Sequence, residues 1–341
     1  ITVSYKTSTL PIGKYNALIT VADPYAINTP QTIEVTLEVG PDNNNIPQSD
    51  LQISLVANSG GIKRDLSNRV SYWPDFSEFK NDARQDKLPK QPVIANTIIS
   101  KPTVSFTGKD SLEINNSAGI TGGGPYKAKT VALYFRTDND IITRQILFQM
   151  GDRLRGLNSY LDQGALYINA WNLVDDDEVG PGTAWGPIFV NTALAPNTAY
   201  TLVYTFDQTT DAIEGFLNGS SFGTGKTVGL LYGSNAKASI GGKSGSTCFH
   251  NNNSSAKGFM GKIAAFVSYN KVLTASERND LDNYLTKTFG NSFSPVNDYA
   301  LWIEPGNGTE RNTQNLVSAW RDKSPNLVVF SQSSTTKQPI Y

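Results

Sequence analysis

The stretch RVSYWPDFS at residues 69–77 returns as LVSAWRDKS at 316–324, 247 positions further on. Val70, Ser71, Trp73, Asp75 and Ser77 are matched there by Val317, Ser318, Trp320, Asp322 and Ser324. KQPVI at 90–94 returns at the same offset as KQPIY at 337–341, with no gap between the two blocks. Solenoid units repeat every ~20–50 residues. A period of 247 is instead that of a whole domain with its linker. The chain is therefore expected to hold one complete module and the opening of a second, as a window on a tandem array. Half a sandwich would leave an apolar sheet face and an open strand edge exposed. The expectation is accordingly a part of a longer polypeptide. The rival reading is that neighbouring copies donate the missing strands. Residues 298–341 repeat what 50–94 already supply, so exchange between copies would leave one set unused.

Between the two copies the pattern is β almost throughout. TVALYFRT (130–137), RQILFQM (144–150), LNSYL (157–161), ALYINAW (165–171), AYTLVYTF (199–206) and AIEGFLNG (212–219) read as short strands, and GKIAAFVSYN (261–270) closes the series. The turns between them carry Gly, Asn or Asp, as in LDQGAL and FLNGSSFG. Many short strands with regular turns predict a sandwich or barrel. Upstream, KYNALITVA (14–22) and QTIEVTLEV (31–39) alternate apolar and polar residues around the loop DPYAINTP. One helix stands out in LTASERNDLDNYLTKTFG (273–290). Thr274 with Glu277 three residues on makes a capping box. Leu281, Tyr284, Leu285 and Phe289 give one apolar face, and Gly290 reads as the C-terminal cap. The helix is expected to pack across one edge of the sandwich.

FTGKDSLEI (106–114), LFQMGDRLRGLNSYLDQGALYINAWN (147–172), IEGFLNG (213–219) and GKIAAFVSYNKVLTASERNDLDNYL (261–285) together resemble a laminin-G-like, concanavalin A-like domain of the kind found in very large bacterial surface proteins. The resemblance covers about residues 50–290 and implies an all-β jelly-roll sandwich of two antiparallel sheets with one short C-terminal helix. Residues 1–40 resemble the second half of an immunoglobulin-like repeat, through Gly13 and Tyr15, the D-P and N-x-P loop and a T-L-x-V strand. Residues 298–341 resemble the start of a second laminin-G-like domain. Linkers are placed at 41–49 (PDNNNIPQ within it) and 291–297 (NSFSPVN).

Several function classes find no support. The net charge is −1 and Lys and Arg are scattered, so no basic face suggests nucleic acid. No apolar run approaches the ~18 residues of a membrane span. One cysteine, Cys248, permits no internal disulfide, so stability must come from core burial. Concanavalin-like glycoside hydrolases carry paired carboxylates in an E-x-D-x-x-E run on one strand, and no strand here has it. GGGP at 122–125 lacks the Lys and Ser/Thr of a phosphate loop. His250, the single histidine, forms a C-x-H pair with Cys248, but zinc needs three or four protein ligands. On a strand the pair would share a face, as a nucleophile and base would have to. No enzyme is expected.

Two candidate sites remain. Arg144, Arg153, Arg155, Trp171 and Trp185 fall within one stretch, where indole stacking on sugar rings and arginine bonds to hydroxyls would make a lectin-like site. The alternative is that both tryptophans are packing residues. The resemblance implies structural or rim-binding use for His250. The acidic run Asp175, Asp176, Asp177 and Glu178 reads as a solvated loop or as a calcium or sugar-hydroxyl site, since hard cations take several carboxylate oxygens. The family calcium motif is represented here only by Asp110, in Phe106-Thr107-Gly108-Lys109-Asp110, and the closing strand Ile263–Phe266 has no acid. Calcium is thus the only cofactor considered. The expected function is a non-catalytic structural and adhesive segment of a giant secreted bacterial surface protein. Its partners would be neighbouring modules, other copies, or cell-surface and extracellular glycans. A lectin-like carbohydrate-binding module is the alternative, and a strand-exchanged filament subunit the second.

Overall fold

The computed structural model describes residues 13–25, 27–39, 46–58, 61–98, 101–174, 184–227, 229–251, 255–290, 309–321 and 329–340. They divide into two compact units, Ile1–Gly290 and Asn291–Tyr341.

The first unit is a sandwich of two sheets. One has eight strands, running from the Ser220–Lys226 edge through Ala212–Leu217, Ala199–Asp207, Ala128–Thr137 and Met260–Tyr269 to Lys101–Thr107 and Val93–Ile98. Leu51–Val56 also pairs with Met260–Tyr269. The other has ten strands. Its path begins at Trp185–Ala193, Ala165–Asn172, Arg155–Asp162 and Gln145–Gly151, and continues through Ala238–Ile240, Leu112–Ile114, Ala83–Arg84 and Val70–Trp73 to Lys63–Arg64. Among these named pairs, only Lys257–Gly258 lies parallel, beside Gln145–Gly151. Period-two alternation turns Leu133, Phe135, Leu157, Ile168, Leu202 and Phe266 inward, all fully buried. Phe148 and Phe266 meet between the sheets at 4.6 Å. The fold is the all-β sandwich expected, with a single helix among the described residues.

The helix spans Ala275–Phe289. Its capping box is formed: Thr274 Oγ1 accepts from Glu277 N, and the Glu277 carboxylate accepts from Thr274 N. Leu281, Leu285 and Phe289 are buried against Ala132, Tyr134, Val203 and Ala265. These belong to central strands, so the helix covers the outer face of the eight-stranded sheet rather than an edge, correcting the sequence expectation. Gly290 keeps an extended backbone at φ −77° and does not use the left-handed freedom of a C-cap glycine. A Cβ there would come within 2.3 Å of the Thr286 carbonyl.

The repeated motif has a local reason. Val70 and Trp73 are fully buried in the core. Asp75, 2% exposed, ties three segments together. Its Oδ1 accepts from Ser54 N (2.7 Å) and Ser77 N (2.8 Å), and its Oδ2 from Ser77 Oγ (2.6 Å) and Asn81 N (2.7 Å).

The described residues of the second unit repeat part of this region. Its strands Thr309–Arg311, Val317–Arg321 and Val329–Ser331 form one antiparallel sheet. Val70 N donates to Pro92 O at 2.7 Å, and Val317 N to Pro339 O at 2.9 Å. Gln91 Nε2 donates to Gln85 O, and Gln338 Nε2 to Gln332 O. Asn68 and Asn315 take φ of 61° and 58°. Burial differs: Ala83 is fully buried, whereas Phe330, at the equivalent position, is 46% exposed.

Residues Gly13–Val21 and Gln31–Val39 form a two-stranded antiparallel hairpin in register Ile19↔Ile33 and Ala17↔Val35. Its loop is set by Asp23, whose Oδ1 accepts from Tyr25 N at 2.8 Å.

Candidate functional site

The tryptophans are placed by packing. Trp171 is fully buried, its ring against Gly156, where a Cβ would approach Trp171 Cζ2 to 2.7 Å. Its Nε1 donates to the Asp152 carbonyl at 3.1 Å. Trp185 is 5% exposed, stacks on Phe206 at 6.0 Å and donates Nε1 to Leu230 O at 3.2 Å. Neither indole offers a face to a sugar ring, because the inter-sheet core and the loops beside it already occupy those faces. Arg144 is likewise internal. Its Nε and Nη2 both donate to Asp162 Oδ2, and its guanidinium lies 4.8 Å over the Phe249 ring.

Arg155 is different. Asp152 Oδ1 accepts from Leu154 N and Arg155 N, folding residues 152–155 into a tight turn that Trp171 supports from below. The Arg155 guanidinium lies 5.5 Å over Tyr232. Together with the Gly122–Pro125 loop and residues 232–236, this turn lines a cleft of about 450 Å³ at the sandwich rim. The glycines are required by close approach: a Cβ on Gly233 would sit 1.8 Å from the Gly123 carbonyl. The cleft thus brings a guanidinium, the Asp152 carboxylate, a phenol ring and backbone amides to one opening. Hydroxyl groups, which both donate and accept, are the chemistry such a mixed lining takes. Leu154 stands 48% exposed at its lip, an apolar surface beside the polar one.

His250 lies on the other face of the ten-stranded sheet from the core. Its ring stacks on Tyr167 at 4.6 Å, and its Nδ1 is 2.9 Å from the Tyr160 hydroxyl. Partial burial pushes its pKa down, helped by the positive charge of Arg144 and opposed by Asp162. Cys248 is buried and its thiol donates to Phe249 O at 3.6 Å. The segment that carries both residues is irregular rather than a strand, so the shared-face geometry expected of the pair is not formed. Burial pushes the thiol pKa up, the direction that lowers the thiolate fraction.

Asp110 is spent on its own turn: Oδ2 accepts from Thr107 N and Thr107 Oγ1, both at 2.7 Å. Among the described residues no three His, Cys, Asp or Glu side chains come together as a metal site would require. Asp175, Asp176, Asp177 and Glu178 lie outside the described residues. Of the sequence candidates, only Arg155 reaches the rim cleft as a lining group. The sequence gives no sign of Tyr232 or of the Gly122–Pro125 loop, which it excludes as a phosphate loop without offering another use. Among the described residues no helix is long and apolar enough to cross a membrane.

No family model matches the sequence, and no curated protein sequence matches it. Solved structures match in fold. The binding domain of Paraclostridial Mosquitocidal Protein 1 is similar with a TM-score of 0.53 and 15% identity, over 86% of this chain and 67% of that one. The botulinum neurotoxin serotype G binding domain gives 0.49 and 11%, over 85% and 65%. Domain 4 of AbnA, an extracellular arabinanase of Geobacillus stearothermophilus solved with arabinotriose, gives 0.46 and 14%, over 69% and 100%. At 15% identity the likeness to the mosquitocidal protein's domain is one of fold, a β-sandwich.

Proposed function

We propose that this chain is a non-catalytic binding module of a large secreted bacterial surface protein, and that its ligand is a glycan held in the rim cleft. The observation that carries the reading is the cleft itself. Arg155 and Asp152, Tyr232, and the glycine loop converge there from three separate parts of the chain. The fold supports it, since the mosquitocidal protein's similar sandwich is a binding domain. Laminin-G-like ancestry, an immunoglobulin-like neighbour at 13–39 and an extracellular location belong to the same proposal.

The test is a glycan array probed with the full chain, followed by titration of each hit against Arg155→Gln. Saturable binding that weakens at least tenfold in Arg155→Gln supports the site. An empty array, or hits untouched by the substitution, sinks it. A second reading is favoured by hydrogen bonds of residues 63–74 and 82–92 that recur at 310–321 and 329–339: a shaft built from successive sandwiches, in which the module spaces rather than binds. An empty array with an intact, monomeric fold would favour the shaft.

A further inference from the structure

The outer face of the ten-stranded sheet carries a row that no rim site uses. Gln149, Asn158 and Asn169 are Cα partners across three adjacent strands and point to the same face. All three are fully buried. What covers them is residues 246–250, a segment with no strand or helix. Gln149 Nε2 donates to Ser246 O at 2.9 Å, Asn158 Nδ2 to Cys248 O at 2.8 Å and Thr247 Oγ1 at 3.1 Å, and Asn169 Nδ2 to Cys248 O at 3.1 Å.

The three carboxamide oxygens have no partner among the described residues. Their orientation is forced. Carbonyls can only accept, so each amide must turn its nitrogen to the covering segment and leave its oxygen orphaned. Such a row is half satisfied. Hydroxyl groups would satisfy both halves, accepting from the nitrogens and donating to the oxygens. Beside the row, Tyr167 presents its ring to His250 at 12° from parallel, and Phe189 stands 37% exposed next to it. The covering segment is held by side-chain hydrogen bonds and packing, with no strand pairing of its own. It follows Gly245, which has φ +90° and open space where a Cβ would stand. Its aromatic anchor, Phe249, belongs to a small cluster with Ile146 and Tyr160, apart from the main core.

We infer that this face is a second glycan groove and that residues 246–250 fill it as a displaceable internal ligand. Main-chain carbonyls stand where sugar hydroxyls would accept, and the His250 ring stands where a sugar ring would stack. The occupant that displaces them is a neutral polyhydroxylated chain. No charge is needed in a groove of three amides and two exposed aromatic edges. The inference is independent of the rim cleft, with which it shares no residue.

The experiment releases the segment with Phe249→Ala in the full chain. Hydrogen exchange at 246–250 is followed together with titration of cellohexaose, xylohexaose, mannohexaose and galactohexaose. Expected are faster exchange confined to that segment and at least tenfold tighter binding of one hexaose than in the wild type. That gain should vanish when Asn158→Ala or Asn169→Ala is added, each checked for an unchanged melting temperature relative to Phe249→Ala. Unchanged exchange would show that the segment is not displaceable and overturns the inference. Faster exchange without tighter binding of any hexaose overturns it too. Binding that survives both asparagine substitutions and disappears in Arg155→Gln belongs to the rim cleft, and equally overturns it.

Discussion

Removing the Asp75 carboxylate tests the physical reason for the repeated motif. In Asp75→Ala the backbone N–H groups of Ser54, Ser77 and Asn81 lose their acceptor in a site where the acid itself is 2% exposed. A buried donor left unpaired costs ~1–3 kcal/mol. The methylene and carboxylate volume vacated is enough for a water to reach one of the three. Burial also pushes the Asp75 pKa up, so the native charge carries a desolvation cost that alanine does not. The net loss is therefore about 3 kcal/mol, towards the low end of the sum of three orphaned donors. Asp75→Asn keeps one oxygen, enough for Ser54 N and Ser77 N, and sets an amide N–H₂ against Asn81 N–H. Its loss should be about half that of alanine, since one donor rather than three is stranded. The assay is urea denaturation of residues 46–290 within the full chain, followed by far-ultraviolet circular dichroism and comparing midpoints at constant slope. An alanine variant within ~1 kcal/mol of wild type would refute the acceptor count, as would an asparagine variant no better than alanine.

Three further outcomes are expected. Thr274→Ala removes the acceptor for Glu277 N and should cost ~1 kcal/mol in the same denaturation, with Thr274→Ser restoring it. Trp171→Phe keeps most of the packing but frees the Asp152 carbonyl. It should lower stability by ~1–2 kcal/mol and weaken rim binding through the 152–155 turn, so a Trp171→Phe protein with intact glycan affinity would contradict that support. Because the folded His250 pKa lies below its ordinary 6.5, folding favours the neutral ring. Its contribution is present above that pH and is lost as pH falls through it. The melting temperature of wild type should therefore drop more than that of His250→Gln between pH 7.5 and 5, with Arg144, Asp162, Tyr160 and Tyr167 as the facing groups. Parallel pH curves for the two proteins would contradict this.

The strands were legible as short runs of aliphatic and aromatic residues between Gly, Asn and Asp turns, and the helix because Thr274 and Glu277 sit at capping-box spacing. The helix's position was not legible. Its apolar face records that it packs, whereas only the order of strands in the sheet shows that the central strands carrying Ala132, Val203 and Ala265 receive it. The tryptophans left both readings open, packing and sugar stacking, for a similar reason. Trp171 falls at an outward position of its strand, and nothing local shows that the 152–155 turn closes over it. The rim cleft was hidden because its parts are far apart in sequence and one of them acts through backbone alone. Gln149, Asn158 and Asn169 read as ordinary solvent-facing polar residues. Their alignment depends on a register that includes an irregularity between Ile146 and Phe148, which alternation cannot foretell.

The pairing of Leu51–Val56 with Met260–Tyr269 also governs how the module meets a pulling force. The two strands are antiparallel, with Leu51 opposite Tyr269, so the chain enters and leaves this pair at the same end. Tension transmitted through residues 50 and 270 would load the ladder one rung at a time, as a zipper opens, rather than shearing all rungs together. The helix is in series with that zipper and is held on the sheet chiefly by the buried Leu281, Leu285 and Phe289, with Arg278 over the Phe216 ring. It would peel first. A sandwich arranged this way is a soft link. Fully extended, residues 50–290 would span on the order of 800 Å at roughly 3.3–3.6 Å per residue, a reserve of length released before any covalent bond bears the load.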